Sequence, residues 1–426
     1  MRIAFISYEY PPDTAFGGIG TYMYNISRIL ASRGHDVVVI TASHDREGVF
    51  EENGVEIHRI IERKRNDFAI LAAHVFRKLH TDTPFDVIEG PEFCADARKI
   101  TEEYDSLPYV LSMHTPSKLS ARLNQYKGFF NEIKKATRDI WRVVSYSLGN
   151  RGSMRSLESH WVNTYLYMQE RLEMAEARKA DLITVPSQSM GEYIERNWKI
   201  PFSKIKYVPN AFIPDDSFIN IKLGQNGQSG DEVILGFIGR LQYRKGVTFL
   251  VRALKKVFQK HPDIHFKWIG SIQTEPNSKL PYDEWIRKEL KEYSDRIEIK
   301  GRVPLKEIAG ELEHIDIIVL PSVWENFPYT CLEAMSAGRA IIASKEGGMS
   351  EMLNGGECGI LVDPIDQNEM ASRMIKLIED KELRKRLGKK ARQRVFEEYS
   401  IDKIGRRKEE VFKIAMERAG ANVESY

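Results

Sequence analysis

Short runs of apolar, often β-branched residues alternate along the chain with longer stretches whose apolar positions recur at helical spacing. Ile3–Ser7, Asp36–Thr41, Asp86–Glu89, Tyr109–Met113, Leu182–Val185 and Lys204–Val208 read as strands. Tyr22–Ser32 reads as a helix ending near Gly34. Continuous apolar strands separated by helices predict parallel sheets covered on both faces. The pattern lapses from Pro214 to Asp231, where Gly224, Gly227 and Gly230 lie among Asn, Gln, Ser and Asp. That is a linker composition. A second series of the same type restarts at Val233–Ile238 and runs through Ile297–Ile299, Ile315–Leu320 and Ala340–Ser344. The chain therefore reads as α/β, with two Rossmann-like domains, 1–212 and 231–398, facing across a cleft and joined by 213–230. Residues 399–426 form a charged closing helix.

Composition narrows the class. A length of 426 residues, 42% hydrophobic and 29% charged, describes an ordinary globular protein of two domains or more. A net charge of +2 gives no general case for nucleic acid as a partner. Cys94, Cys331 and Cys358 are widely spaced and form neither a disulfide framework nor a metal-ligand pattern. A reducing, cytoplasmic compartment is the simplest expectation. The apolar run Ile3–Ile6 is too short for a signal-peptide core, and nothing is long enough to span a membrane.

Candidate chemistry concentrates in Glu325-Asn326-Phe327-Pro328-Tyr329-Thr330-Cys331-Leu332-Glu333, between the apolar runs Ile315–Leu320 and Ala340–Ala343. The order strand, loop, helix, strand follows, with Pro328 suited to the first helical turn. Glu325 then lies in the loop before the helix, and Glu333 more than one turn inside it. Open N–H groups at a helix start suit a phosphate. A carboxylate further along the helix can accept bonds from sugar hydroxyls beside that phosphate. Upstream, Gly239-Arg240-Leu241-Gln242-Tyr243-Arg244-Lys245-Gly246 joins a strand to a helical pattern at Val247, Leu250, Ala253, Leu254 and Val257. A loop there sits at the carboxyl edge of a parallel sheet, where such folds bind ligands. Arg240 and Lys245 can both reach one diphosphate; the bland alternative is a solvated basic turn.

Gly17-Gly18-Ile19-Gly20 follows a strand and opens a helix, so a dinucleotide-binding oxidoreductase must be weighed. The spacing differs from G-x-G-x-x-G, and Ile40-Thr41-Ala42 stands where an acidic ribose ligand would end the second strand. The oxidoreductase reading is set aside. A plain helix-entry turn remains the structural alternative.

The carboxyl half resembles the donor domain of the retaining nucleotide-sugar glycosyltransferases of family 4, which have the GT-B architecture. The residues that carry this are Gly239-Arg240, Lys245-Gly246, Pro321-Ser322, Glu325, Glu333-Ala334, Gly338 and Gly347-Gly348. The amino half resembles the same family through Gly17-Gly18-Ile19-Gly20, Ser112-Met113-His114-Thr115 and Val208-Pro209-Asn210-Ala211. The resemblance implies transfer of a hexosyl-type sugar from a nucleotide diphosphate to a hydroxyl acceptor, with retention of configuration and no metal or other cofactor. It implies that Arg240 and Lys245 stabilise the diphosphate, and that Glu325 and His114 lie near the transferred sugar. Glu333 would hold the ribose. Gly17, Gly18, Gly20, Gly239, Asn326, Phe327, Pro328, Tyr329 and Thr330 complete the donor site. Gly301-Arg302-Val303 frames the base through backbone groups at Arg302 and Val303, or is a simple strand-to-helix turn. Gly347-Gly348 lines the sugar end or permits a tight turn. Within the same architecture, a sugar-nucleotide epimerase, a phosphorylase or a noncatalytic nucleotide-sugar-binding protein are the alternatives.

The segment from Lys118 to Arg155 holds nine lysines and arginines against Glu132 and Asp139, within a helical insert of about 118–180. Phe130, Ile133, Ile140, Trp141 and Val144 fall near one helical face. Such a helix suits peripheral contact with the inner face of a membrane. The favoured alternative is an insert packing that face on the amino domain or another subunit. In Leu157–Lys179, the positions Trp161, Tyr165, Met168, Leu172 and Ala175 read as core, and acceptor specificity is expected in this region.

Overall fold

The computed structural model describes residues 1–14, 17–63, 65, 67–124, 154–210, 212–214, 216–222 and 232–423. The basic segment with Phe130, Ile133, Ile140, Trp141 and Val144, and the stretch with Gly224, Gly227 and Gly230, lie outside the described residues.

Two sheets account for the two apolar series. The first comprises β1 (Arg2–Ser7), β2 (Asp36–Ser43), β3 (Gly48–Glu52), β4 (Val55–Ile61), β5 (Val87–Pro91), β6 (Tyr109–Ser112), β7 (Leu182–Val185) and β8 (Ile205–Tyr207), in the order β3-β4-β2-β1-β5-β6-β7-β8. All neighbours are parallel except the β3–β4 hairpin. That hairpin escapes the apolar pattern because β3 is an edge strand with Val49 and Phe50 exposed. Its turn, Asn53-Gly54, has positive φ at both residues, as a two-residue hairpin of right-handed twist requires.

The second sheet comprises β9 (Ile234–Ile238), β10 (His265–Ile269), β11 (Ile297–Lys300), β12 (Ile317–Leu320), β13 (Ala340–Ser344) and β14 (Ile360–Val362). It is wholly parallel, in the order β11-β10-β9-β12-β13-β14. This is the doubly wound order, and its crevice opens where chain direction around the sheet reverses, between β9 and β12. The equivalent point of the first sheet lies between β1 and β5. The loops after β1, β5, β9 and β12 are therefore at the positions where such folds bind ligands.

The C-terminal helix, Ile401–Val423, packs on the first sheet. Phe412 meets Phe5 edge-on at 6.5 Å, and Arg33 pairs with Asp402 and Glu409 at 2.7 Å each. The helix Met154–Lys179 corrects one expectation. Tyr165, Met168 and Leu172 are exposed, and the buried face carries Leu166, Glu170, Glu173, Glu176 and Ala177. Glutamates turn inward because loop donors meet them: Ser117 N–H and hydroxyl bond Glu173, and Thr101 Oγ1 donates to Glu176 at 2.8 Å. Among the described residues, no helix is long and apolar enough to cross a membrane.

Candidate active site

The loop after β9 begins at Gly239 and tightens into a short turn at Tyr243–Lys245. Gly246 closes it at φ +76, and a Cβ there would lie 1.9 Å from the Pro321 carbonyl oxygen. Only glycine lets this loop lie against the loop after β12. That contact brings the charges together: Arg244 and Lys245 both reach Glu325 Oε1, each at 2.6 Å. Burial would raise the Glu325 carboxyl, but Arg244 and Lys245 outweigh it and hold the group below its usual range. Burial pulls the Lys245 ammonium down, while Glu325 opposes the shift. Arg240 is exposed and makes no ion pair among the described residues. Three cations against one carboxylate leave two positive charges in excess, a match for a diphosphate.

Sequence reasoning passed over Arg244. Which of two adjacent cations turns inward depends on the turn at Tyr243–Lys245, and here both do.

The helix after Glu325 runs from Tyr329 to Ser336, with Pro328 at its N-cap rather than inside its first turn. Pro328 gives no side-chain cap and the first turn, with Thr330, holds no acid, so the positive end of the helix is not neutralised locally. Glu333, in the second turn, is buried with no hydrogen-bond or ion-pair partner among the described residues. Burial pushes its carboxyl up to about 7. Phe327 turns its ring into the core against Tyr399, 5.3 Å away, leaving only its backbone at the site. The Tyr329 ring lies between the cores of both domains, and burial raises its hydroxyl.

Asn326 joins the domains. Its Nδ2 donates to the His114 carbonyl, and its Oδ1 accepts from Ser187 Oγ at 2.6 Å. The side chain is thus committed to the opposite domain. Asn210 Nδ2 donates to the Phe327 carbonyl at 3.0 Å, and Glu351 accepts from Gln188 and Ser189 N–H at 2.7 and 3.0 Å. Gly347 and Gly348 permit the closest approach. Their Cβ positions would fall 2.1 Å from the Glu325 and 1.7 Å from the Asn326 carbonyl oxygens.

From the first sheet, His114 follows β6 and meets the second domain at Asn326. Its N–H donates to buried Glu92 at 2.9 Å, and its ring meets Tyr22 edge-on at 5.1 Å. His114 Nε2 is buried without a partner among the described residues. Burial, then the charge of Lys408, pushes the imidazole down to about 3, so it is neutral. Gly17 and Gly18 are exposed at the start of the helix Gly18–Ser32, and Gly20 is buried. Gly17 is extended at φ −159, so its small size matters here, not its conformational freedom. Arg302 is exposed after the edge strand β11, while Val303 packs partly on the second core.

Two facing Rossmann-like domains, with phosphate-suited loops at the switch point of the second, define the GT-B class of nucleotide-binding enzymes. Two family models match nearly the whole chain: Glycosyltransferase Family 4 over residues 16–216 and Glycosyl transferases group 1 over 219–394. An uncharacterized glycosyltransferase of Methanocaldococcus jannaschii is 26% identical, the match covering 99% of this chain and 100% of the relative. Sucrose-phosphate synthase from Thermosynechococcus elongatus shares the fold at TM-score 0.69 and 20% identity, over 97% of this chain and 98% of that one. Anabaena HepE, solved with UDP, does so at TM-score 0.65 and 18% identity, over 97% and 100%. The chain belongs to the GT-B glycosyltransferases of family 4 type, enzymes of carbohydrate biosynthesis that act on nucleotide sugars.

Proposed function

We propose that this enzyme moves a hexosyl-type sugar from a nucleoside diphosphate to a hydroxyl acceptor with retention of configuration and without a metal ion. The observation that carries the reading is the convergence of Arg244 and Lys245 on Glu325 Oε1, beside Arg240, unpaired among the described residues, and an uncapped helix start. Arg240 and Lys245 stabilise the charge that grows on the departing diphosphate, as preorganised donors do. Glu333, buried and unpaired among the described residues, accepts the ribose hydroxyls. His114, neutral and with Nε2 unpartnered among the described residues, bonds a hydroxyl of the transferred sugar. Retention follows a same-face course: the departing phosphate oxygen takes the acceptor's proton while the protein positions both partners. The backbone at Gly17 and Gly18 faces the donor from the opposite domain, and Arg302 and Val303 frame the base.

Product analysis by NMR tests this reading. A glycoside with the donor's anomeric configuration, formed equally in EDTA, is expected once an acceptor is supplied. Conversion of a free nucleotide sugar without acceptor would instead assign an epimerase.

A further inference from the structure

Three features lie outside the donor site: the glutamate face of the helix Met154–Lys179, the strained turn at Cys94–Ala95, and a buried lysine–glutamate pair beneath His114. The third reaches the site through an unbroken series of contacts. Resting on the transferase reading above, we propose that Lys408 and Glu89 are positioning residues that fix His114 through Tyr22, making the C-terminal helix part of the active site.

Lys408 and Glu89 are both fully buried, with Nζ and Oε2 2.7 Å apart. Lys408 comes from the C-terminal helix and Glu89 from β5, beside the switch point of the first sheet. Lys408 Nζ also donates to Thr184 Oγ1 on β7 at 3.2 Å. The second oxygen of Glu89 accepts from Tyr22 Oη at 2.8 Å. Tyr22 lies in the second turn of the helix that Gly18 begins, and its ring is the wall against which His114 packs. Among the described residues, the remaining holds on His114 are on its backbone, from Glu92 and Asn326. Tyr22 is therefore the aromatic contact that orients the imidazole, and Glu89 sets where Tyr22 stands.

A fully buried ion pair is a poor way to gain stability, because desolvation offsets the attraction between the charges. An apolar pair of similar volume would serve packing as well. What an apolar pair lacks is a fixed acceptor for Tyr22 Oη. The pair also fastens the C-terminal helix to the strand beside the site, in a register that Arg33 and Glu409 support from the surface. Loss of this helix would then affect chemistry as well as folding.

The test compares full-length wild type, Tyr22→Phe and the double variant Glu89→Leu/Lys408→Met, which leaves no buried charge unpaired and no acceptor for Tyr22 Oη. Melting temperature reports folding. The imidazole signal of His114 in protein labelled with 15N-histidine, identified by its loss in His114→Asn, reports position. Turnover uses whichever UDP, GDP or ADP sugar the wild type binds. The double variant is expected to melt near wild type, with a shifted His114 signal. Its kcat should fall on the order of tenfold or more, at nearly unchanged donor KM, as misplacement of a reacting partner does. Tyr22→Phe should move both readouts in the same direction by less. A folded double variant with the wild-type His114 signal and kcat would overturn the proposal. If wild type binds no nucleotide sugar, the transferase reading fails, while the His114 signal still decides whether the pair positions the ring.

Discussion

Lys245 Nζ lies 2.6 Å from Glu325 Oε1, and the two residues sit on loops that follow adjacent strands at the switch point of the second sheet. Lys245→Ala removes the ammonium proposed to stabilise the diphosphate but leaves Glu325 paired with Arg244. Turnover should fall by on the order of a hundredfold or more. Folding, followed by thermal melting, should change little.

Glu325→Ala behaves differently. It strands Arg244 and Lys245, both mostly buried, without their shared carboxylate. A loss of about 3 kcal/mol in stability is expected, the scale for breaking a buried pair from one side. Urea melts of the two variants should therefore separate cleanly, with Glu325→Ala the weaker.

Glu333 gives a pH-dependent signature. Its carboxyl is pushed up to about 7 by burial, so it is partly protonated at neutral pH in the free protein. Ribose hydroxyls donating to it favour the ionised form. Binding of a UDP sugar near pH 7 should therefore release protons, seen as a dependence of calorimetric heat on buffer ionisation. Glu333→Gln should abolish that dependence and weaken binding.

Stability itself should fall as pH rises. Burial pushes Glu92 up to about 8, and both Glu173 and Glu333 up to about 7. Each binds its proton more tightly folded than unfolded. Their contribution is fully present below the ordinary carboxylate range and lost as pH climbs through about 7 to 8. Melting temperature measured from pH 5.5 to 8.5, approximate limits set by those values, should decline, and Glu92→Gln should flatten the curve.

Gly348→Ala tests the contact between domains. Its Cβ would lie 1.7 Å from the Asn326 carbonyl oxygen and 2.9 Å from Ser187 Cβ. Overpacking of this kind costs about 1–3 kcal/mol where the surroundings cannot shift. Donor affinity should fall together with melting temperature, because Asn326 neighbours Glu325. An unchanged affinity in a folded variant would separate the glycine loop from the site.

What could be read in the sequence was local. The apolar runs of β1, β2, β9 and β12 are continuous because both faces of each strand are covered, so their positions stand out. Glu325 and Glu333 could be placed relative to a helix because a strand, Pro328 and Gly338 bracket them. Contacts between distant segments left no such trace. Asn326 reads as a donor ligand until His114 and Ser187 are seen to hold its side chain. Nothing near Lys408 announces that Glu89 lies beneath it. The stripe through Tyr165, Met168 and Leu172 misled because helical period says which residues share a face, not which face is buried. Asn53-Gly54 was a legible hairpin turn, masked by the polar edge strand before it.

The central claim is that the cationic cleft binds a nucleotide sugar. Calorimetric titration with UDP, GDP and ADP sugars, repeated on Lys245→Ala and Glu333→Ala, tests it most directly. The account predicts that one donor binds at micromolar affinity and that both substitutions weaken it. Folded wild-type protein that binds none of the three, or binds one with no loss in either variant, would contradict it.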